Sequence, residues 1–178
     1  KPAVLFGSQV WNGRSHREAL ELIRAAARRL ELDNIRPQLR DASKRSDALE
    51  GALDAVLVDA PCSGVGVMGD EPDIKYRFRL ADAQALEKVQ AGILDACARL
   101  VRAGGLLVYS TCTVLPGENC DQVAAFLKRH PEFEMDDNCQ WLPETLRGAY
   151  QGGMLQLLPS RDGLDGFFIA RLRRKADR

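Results

Sequence analysis

Cys62 and Cys112 each follow an apolar, strand-like run: AVLVDAPCSG over 55–64 and LLVYSTCT over 106–113. Neither is followed by a partner at metal-ligand spacing, so a zinc knuckle is not the natural reading. Two thiols displayed where strands end suggest nucleophilic chemistry; the plainer alternative is that both are small apolar residues closing those strands. Their neighbours are chemically loaded. Asp59 stands three residues before Cys62, at a strand end where an unpaired carboxylate is costly. Pro61 and Ser63-Gly64 shape a tight turn around the thiol. Beside Cys112, Ser110 and Thr111 supply hydroxyls, and Pro116-Gly117-Glu118-Asn119 opens a helix whose N-terminal amides favour anionic groups. On these residues alone both readings stand.

The elements that position the pair are legible as periodicities. Residues 16–30 (HREALELIRAAARRL) put Ala19, Leu20, Ile23, Ala27 and Leu30 on one helical face. A short strand is expected at Ile35–Leu39, ending near Asp41. Ala55–Val58 is a continuous apolar run, as in a strand buried on both faces. Residues 81–102 repeat the helical pattern through Leu86, Val89, Ile93, Cys97 and Leu100. Gly104-Gly105 is expected to stop that helix before a buried strand at Leu106–Ser110. A helix over Asn119–Arg129 and strands at Met154–Leu158 and Gly166–Leu172 close the chain. The alternation implies α/β architecture: a mostly parallel, doubly wound sheet with an antiparallel C-terminal edge. Strands joined by a right-handed crossover run parallel and often side by side. Both cysteines then fall at the C-terminal sheet edge, where such folds bind ligands, with neighbouring strands about 4.8 Å apart.

Composition narrows the class. With 178 residues, 46% hydrophobic and 28% charged, the chain suits one soluble domain with a substantial core. No run approaches the ~20 apolar residues of a membrane helix. Five scattered cysteines fit a reducing cytoplasm better than a disulfide framework. The 25 basic and 25 acidic residues cancel, so global charge does not argue for nucleic acid. Local basic clusters at Lys75, Arg77 and Arg79 and at Arg171, Arg173, Arg174 and Lys175 are, taken alone, ordinary solvated surface. Cys97 reads as core, and Cys120 and Cys139 as structural or incidental. Gly64-x-Gly66-x-x-Gly69 formally matches a dinucleotide fingerprint, yet it runs into Asp70-Glu71-Pro72-Asp73 instead of a helix; it reads as a flexible substrate-side loop.

The segments DAPCSGVGVMGDEPDIKYR (59–77) and VYSTCTVLPGENCDQV (108–123) closely resemble two signature motifs of the Nop/Sun family of RNA cytosine-5 methyltransferases, and DGFFIARLRR (165–174) resembles the family's last strand. Within it the chain is most similar to bacterial RsmB-type enzymes of small-subunit ribosomal RNA. The resemblance implies a Rossmann-like methyltransferase fold, S-adenosylmethionine as cofactor, and RNA, most naturally ribosomal, as partner, with no metal and no membrane. It implies Cys112 as nucleophile, Cys62 as the cysteine that assists proton removal and product release, and Asp59 at the base's N3/N4 edge. Asp41, Asp59 and Pro61 are implied at the cofactor, and Ser63, Lys75, Arg77, Glu118 and Asn119 at the RNA.

The resemblance also has gaps. The family's glycine-rich PGGKT-like turn after its first strand has no counterpart in Lys1–Ser8, and Arg14 falls where an acidic residue binds the cofactor ribose. Arginine has no acceptor for those hydroxyls. The expectation is therefore a partial catalytic domain over 1–178 that lacks its first strand and glycine-rich turn and binds the cofactor weakly. The competing reading is a non-catalytic RNA-binding or ribosome-assembly module with a degenerate cofactor site.

Overall fold

The computed structural model describes residues 3–7, 16–44 and 46–176. Seven strands form one sheet: β1 (Ala3–Gly7), β2 (Leu53–Asp59), β3 (Val101–Thr111), β4 (Phe133–Met135), β5 (Tyr150–Gln151), β6 (Met154–Leu157) and β7 (Phe167–Arg174). The helices are α1 (His16–Arg29), α2 (Ile74–Arg77), α3 (Leu80–Ala98), α4 (Cys120–Arg129), α5 (Glu144–Arg147) and α6 (Pro159–Asp162), of which α2, α5 and α6 are single turns. Sheet order is β1-β2-β3-β7-β6-β5, with β4 also pairing β7. β1, β2 and β3 are parallel; β7 runs antiparallel to β3, β4 and β6. The α/β sheet with an antiparallel C-terminal edge is as the alternation implied, and that edge is wider than two strands because β4 and β5 join it; the first strand that the chain was expected to lack is present as β1, parallel to β2.

The chain divides into two compact units, 8–41 and the remainder. In the first, α1 buries Ala19 and Ala27, while Ile23 and Leu30 of the same expected face remain exposed. No strand forms at Ile35–Leu39. Pro37 has no N–H for a ladder, and Ile35 and Leu39 bury too little to hold an extended segment in a sheet. Arg14 lies outside the described residues, as do all of residues 8–15.

In the second unit the sheet's apolar face carries the core. Val56 and Val58 of β2, Leu107 and Tyr109 of β3, and Phe168, Ala170 and Leu172 of β7 alternate inward. Ile93, Leu94 and Cys97 of α3 and Val123 and Phe126 of α4 belong to the same cluster. Truncating one of the fully buried members, such as Leu94, costs about 2–5 kcal/mol. β2 is not buried on both faces, since Leu57 is 36% exposed. Two boundaries also differ from the periodicity. α3 stops at Ala98, and the Arg99 and Leu100 carbonyls accept from Gly51 N and Leu53 N, which starts β3 early. Gly104-Gly105 then forms a bulge inside β3: pairing jumps from Leu53–Val101 to Ala55–Leu106, with Gly104 at φ +73°.

Candidate active site

β2 and β3 pair up to Asp59 and Ser110, and both chains then turn away from the sheet at the same edge. Ala60 N still donates to Ser110 O at 2.9 Å, so the turns leave together. Their cysteines, fifty positions apart in sequence, meet with Sγ atoms 3.2 Å apart, both half-buried. Asp59 sits at the base of the pair and accepts from the Ser110 hydroxyl through Oδ1 at 3.0 Å.

The two sulfurs are not equivalent. The shared hydrogen bond with Cys112, then burial, then the charge of Cys112 push the Cys62 thiol far above its ordinary value. Cys112 is lowered, chiefly because the Cys62 thiol donates to it, against the upward push of burial and of Asp59. Of the two sulfurs, Cys112 is therefore the one that ionises more readily, and Cys62 the one that holds its proton. Tyr109, beneath them, is raised by burial and by the charges of Cys62 and Glu118, and donates to Glu118 O at 2.7 Å.

Each cysteine turn is held from both sides by a polar group the sequence reading placed elsewhere. Glu118, 0% exposed, accepts from Ser63 N (2.9 Å), Ser63 Oγ (2.5 Å) and Gln90 Nε2 (2.9 Å). Gln90 also donates to Pro61 O at 2.8 Å, so the residues before and after Cys62 are both fixed. Asn119, 1% exposed, accepts from Thr111 Oγ1 (2.6 Å) and donates to Thr113 O (2.9 Å), which brackets Cys112. Glu118 and Asn119 were expected at RNA; burial and these bonds turn both into the protein. Ser63 likewise directs its hydroxyl to Glu118 and Thr113. Gln90 was missed by the periodicity, which placed exposed Val89 on the core face. The signal was present: Ala83, Gln90, Leu94 and Cys97 share a helical register, and a lone amide in an apolar register marks a polar task.

The glycine loop has a packing reason. Gly66 N donates to Cys112 O (3.1 Å), and Gly166 N donates to Gly66 O (2.8 Å). A Cβ on Gly66 would collide with the Gly166 carbonyl, so the loop is pinned against β7 and the Cys112 turn. Lys75, Tyr76, Arg77 and Arg79 are exposed beyond that loop; Tyr76 is 84% exposed with Lys75 over its ring, and Arg77 pairs Asp73 at 2.9 Å. The C-terminal basic cluster is structural. Arg171 and Arg173 both bind Asp136 Oδ2, Arg174 binds Val101 O, and Lys175 binds Pro131 O. Asp41 is exposed at the end of the 8–41 unit. Among the described residues there is no candidate metal cluster, and no helix is long and apolar enough to cross a membrane.

A sheet of this order, with its reactive groups at the C-terminal ends of adjacent parallel strands, is the architecture of S-adenosylmethionine-dependent methyltransferases. The chain belongs to the family described as 16S rRNA methyltransferase RsmB/F, which matches residues 7–173. It is 44% identical, over 90% of its length and 36% of the relative's, to the probable ribosomal RNA small subunit methyltransferase B of Bacillus subtilis. A methyltransferase homologue from Pyrococcus horikoshii superposes with a TM-score of 0.69 at 25% identity, covering 89% of this chain and 50% of that one. NSun6 from Pyrococcus horikoshii with SFG shares the fold at a TM-score of 0.75 and 23% identity, over 98% and 48%. The chain spans 36–39% of the length of the first curated relatives it matches.

Proposed function

We propose that this chain carries the catalytic centre of a ribosomal RNA cytosine-5 methyltransferase acting through a covalent cysteine adduct. The observation that carries this reading is the pair of sulfurs 3.2 Å apart at the ends of two adjacent parallel strands. Carbon 5 of cytosine is a poor nucleophile. The Cys112 thiolate adds to carbon 6, forming a C–S bond and turning carbon 5 into an enamine-type nucleophile. Asp59 holds the ring at its N3/N4 edge as charge develops there. S-adenosylmethionine, when bound, supplies the methyl group that carbon 5 takes up and leaves as S-adenosylhomocysteine.

Release needs a base for the carbon-5 proton. While Cys112 is an anion, it disfavours a second charge on Cys62 and accepts the Cys62 proton. Once Cys112 is a thioether both effects vanish, so Cys62 becomes easier to ionise when a base is needed. Cys62 gives up its proton to solvent, its thiolate takes the carbon-5 proton, the carbon 5–carbon 6 double bond reforms, and Cys112 leaves carbon 6 with the electron pair as a thiolate. The target base reaches this recessed pair only when out of any stack, and Lys75 and Arg77 are the RNA-side groups of the reading.

The cofactor side fits in part. Asp59 and the Pro61 carbonyl, at the end of β2, are acceptors suited to the cofactor's amino groups; Asp41 is added by the family resemblance. In the family resemblance Arg14 falls in sequence where an acceptor for the ribose hydroxyls is expected, so the chain by itself is expected to bind S-adenosylmethionine weakly. The test is RNA bearing 5-fluorocytosine at the target site, incubated with protein and S-adenosylmethionine. An adduct that survives denaturation and maps to Cys112 supports the proposal. An adduct on another residue, or RNA binding indifferent to both cysteines, overturns it.

A further inference from the structure

We infer that Glu118 and Asn119 act as one positioning pair: consecutive residues of a tight turn that brace Cys62 and Cys112, each from both sides, and so set the distance between the sulfurs. The inference rests on the proposed role of the two cysteines and adds residues to it. Neither side chain reaches solvent, so neither is available to touch substrate.

The division of labour is strict. Every bond from Glu118's side chain serves the Pro61–Cys62–Ser63 turn, directly or through Gln90. Asn119 serves the Thr111–Cys112–Thr113 segment, and its amide is oriented by Gln156 Oε1 at 3.0 Å. Gln156 is itself fixed, because its Nε2 donates to Leu157 O and Phe167 O. A cross-tie, Ser63 Oγ to Thr113 Oγ1 at 2.9 Å, joins the two turns. Because Glu118 and Asn119 are adjacent in the chain, one backbone turn fixes the spacing of two segments fifty residues apart. Tyr109 secures that turn through Glu118 O.

Chemistry fixes the residue types. A carboxylate accepts three donors at once; an amide in its place keeps one acceptor oxygen, so either the Ser63 N–H and Gln90 or the Ser63 hydroxyl loses its acceptor. Asn119 must accept from a hydroxyl and donate to a carbonyl, which a carboxylate cannot do. Gln90 gives both Nε2 hydrogens to this arrangement, and its Oε1 is buried with no hydrogen-bond partner among the described residues. An interior amide left half-satisfied is retained where its donors are needed.

The experiment needs neither RNA nor cofactor. Dibromobimane bridges only neighbouring thiols, and iodoacetamide labelling followed by peptide mass spectrometry gives the pH midpoint of each cysteine. The titratable groups around the Cys112 sulfur are Cys62, Asp59 and Glu71, with Glu118 beneath the Cys62 turn. In the unsubstituted protein, a Cys62–Cys112 cross-link forms and Cys112 labels below the ordinary thiol range. Glu118→Gln is expected to reduce cross-linking about fivefold and raise the Cys112 midpoint by about one pH unit. Ser63→Ala, which removes one of the three donors, shifts both in the same direction by less. Core Cys97, 0% exposed, reports folding, since its labelling marks an opened chain; if Glu118→Gln opens, Ser63→Ala and Asn119→Ser decide. Folded variants that keep the original cross-link and midpoint overturn the inference. Absence of the cross-link in the unsubstituted protein would instead remove the proposed function.

Discussion

The Cys62 and Cys112 sulfurs lie 3.2 Å apart, on turns that leave the sheet where Asp59 and Ser110 are in register. Two thiols at this distance cannot both ionise freely, so the arrangement forces one acid and one nucleophile.

That asymmetry separates the two alanine variants. Cys112→Ala abolishes both methyl transfer and adduct formation. Cys62→Ala leaves attack possible but slows release, by about 10²–10⁴-fold for a positioned base. Adduct therefore accumulates on Cys112 while turnover falls. Denaturing gels of labelled RNA check this, and equal loss of adduct in both variants would refute the division of roles.

Lowering of the Cys112 thiol means that its thiolate persists as pH falls below the ordinary thiol range. Iodoacetamide labelling of Cys112 is expected to remain fast there while Cys62 stays slow. In Cys62→Ala the stabilising donor is gone, and the Cys112 midpoint moves up.

Burial pushes the Cys97 thiol up to about 12 from 9.0. The folded chain keeps a proton that the unfolded chain releases above 9.0, so stability is intact below that pH and is lost as pH climbs toward 12. Urea midpoints between pH 8 and 11 are expected to fall more steeply in the unsubstituted protein than in Cys97→Ala. The difference approaches about 1.4 kcal/mol per pH unit. Identical slopes would contradict it.

Asp136 behaves oppositely. Burial raises its carboxyl, but the Asn138 N–H, Arg171 and Arg173 more than offset that and hold it below the ordinary value. Its contribution is present above the unfolded value and is lost as pH falls through the folded one. Asp136→Asn is expected to lose about 1–3 kcal/mol at neutral pH and to show a flatter acid limb in denaturant titrations.

On the RNA side, Lys75→Ala and Arg77→Ala are expected to weaken binding uniformly across sequences, each reducing the salt slope by about 1. The exposed Arg77–Asp73 pair adds little stability, so folding should be unaffected. Filter binding over a salt series measures this; an unchanged slope would place the RNA elsewhere.

Much of this architecture is visible along the chain. The apolar runs before Cys62 and Cys112 mark β2 and β3 because central strands need little but apolar residues. Ile35–Leu39 imitated a strand until Pro37 and the lack of a pairing partner decided otherwise. Gly104-Gly105 looked like a helix stop because glycine signals a turn without saying which kind; only the β2 register shows a bulge. Arg171 and Arg173 looked like free cations because their partner, Asp136, lies 35 and 37 positions away.

The residue types of the site, a proline-preceded and a threonine-preceded cysteine with an aspartate close by, were determined by sequence, since side-chain chemistry is local. Their mutual distance was not. It depends on β2 and β3 being neighbours in one register, and on a carboxylate and an amide that only folding buries beneath them. Glu118 and Asn119 read as ligand-facing polar residues because polarity by itself does not say which way a side chain points. Burial at 0% and 1% decides that they face the protein.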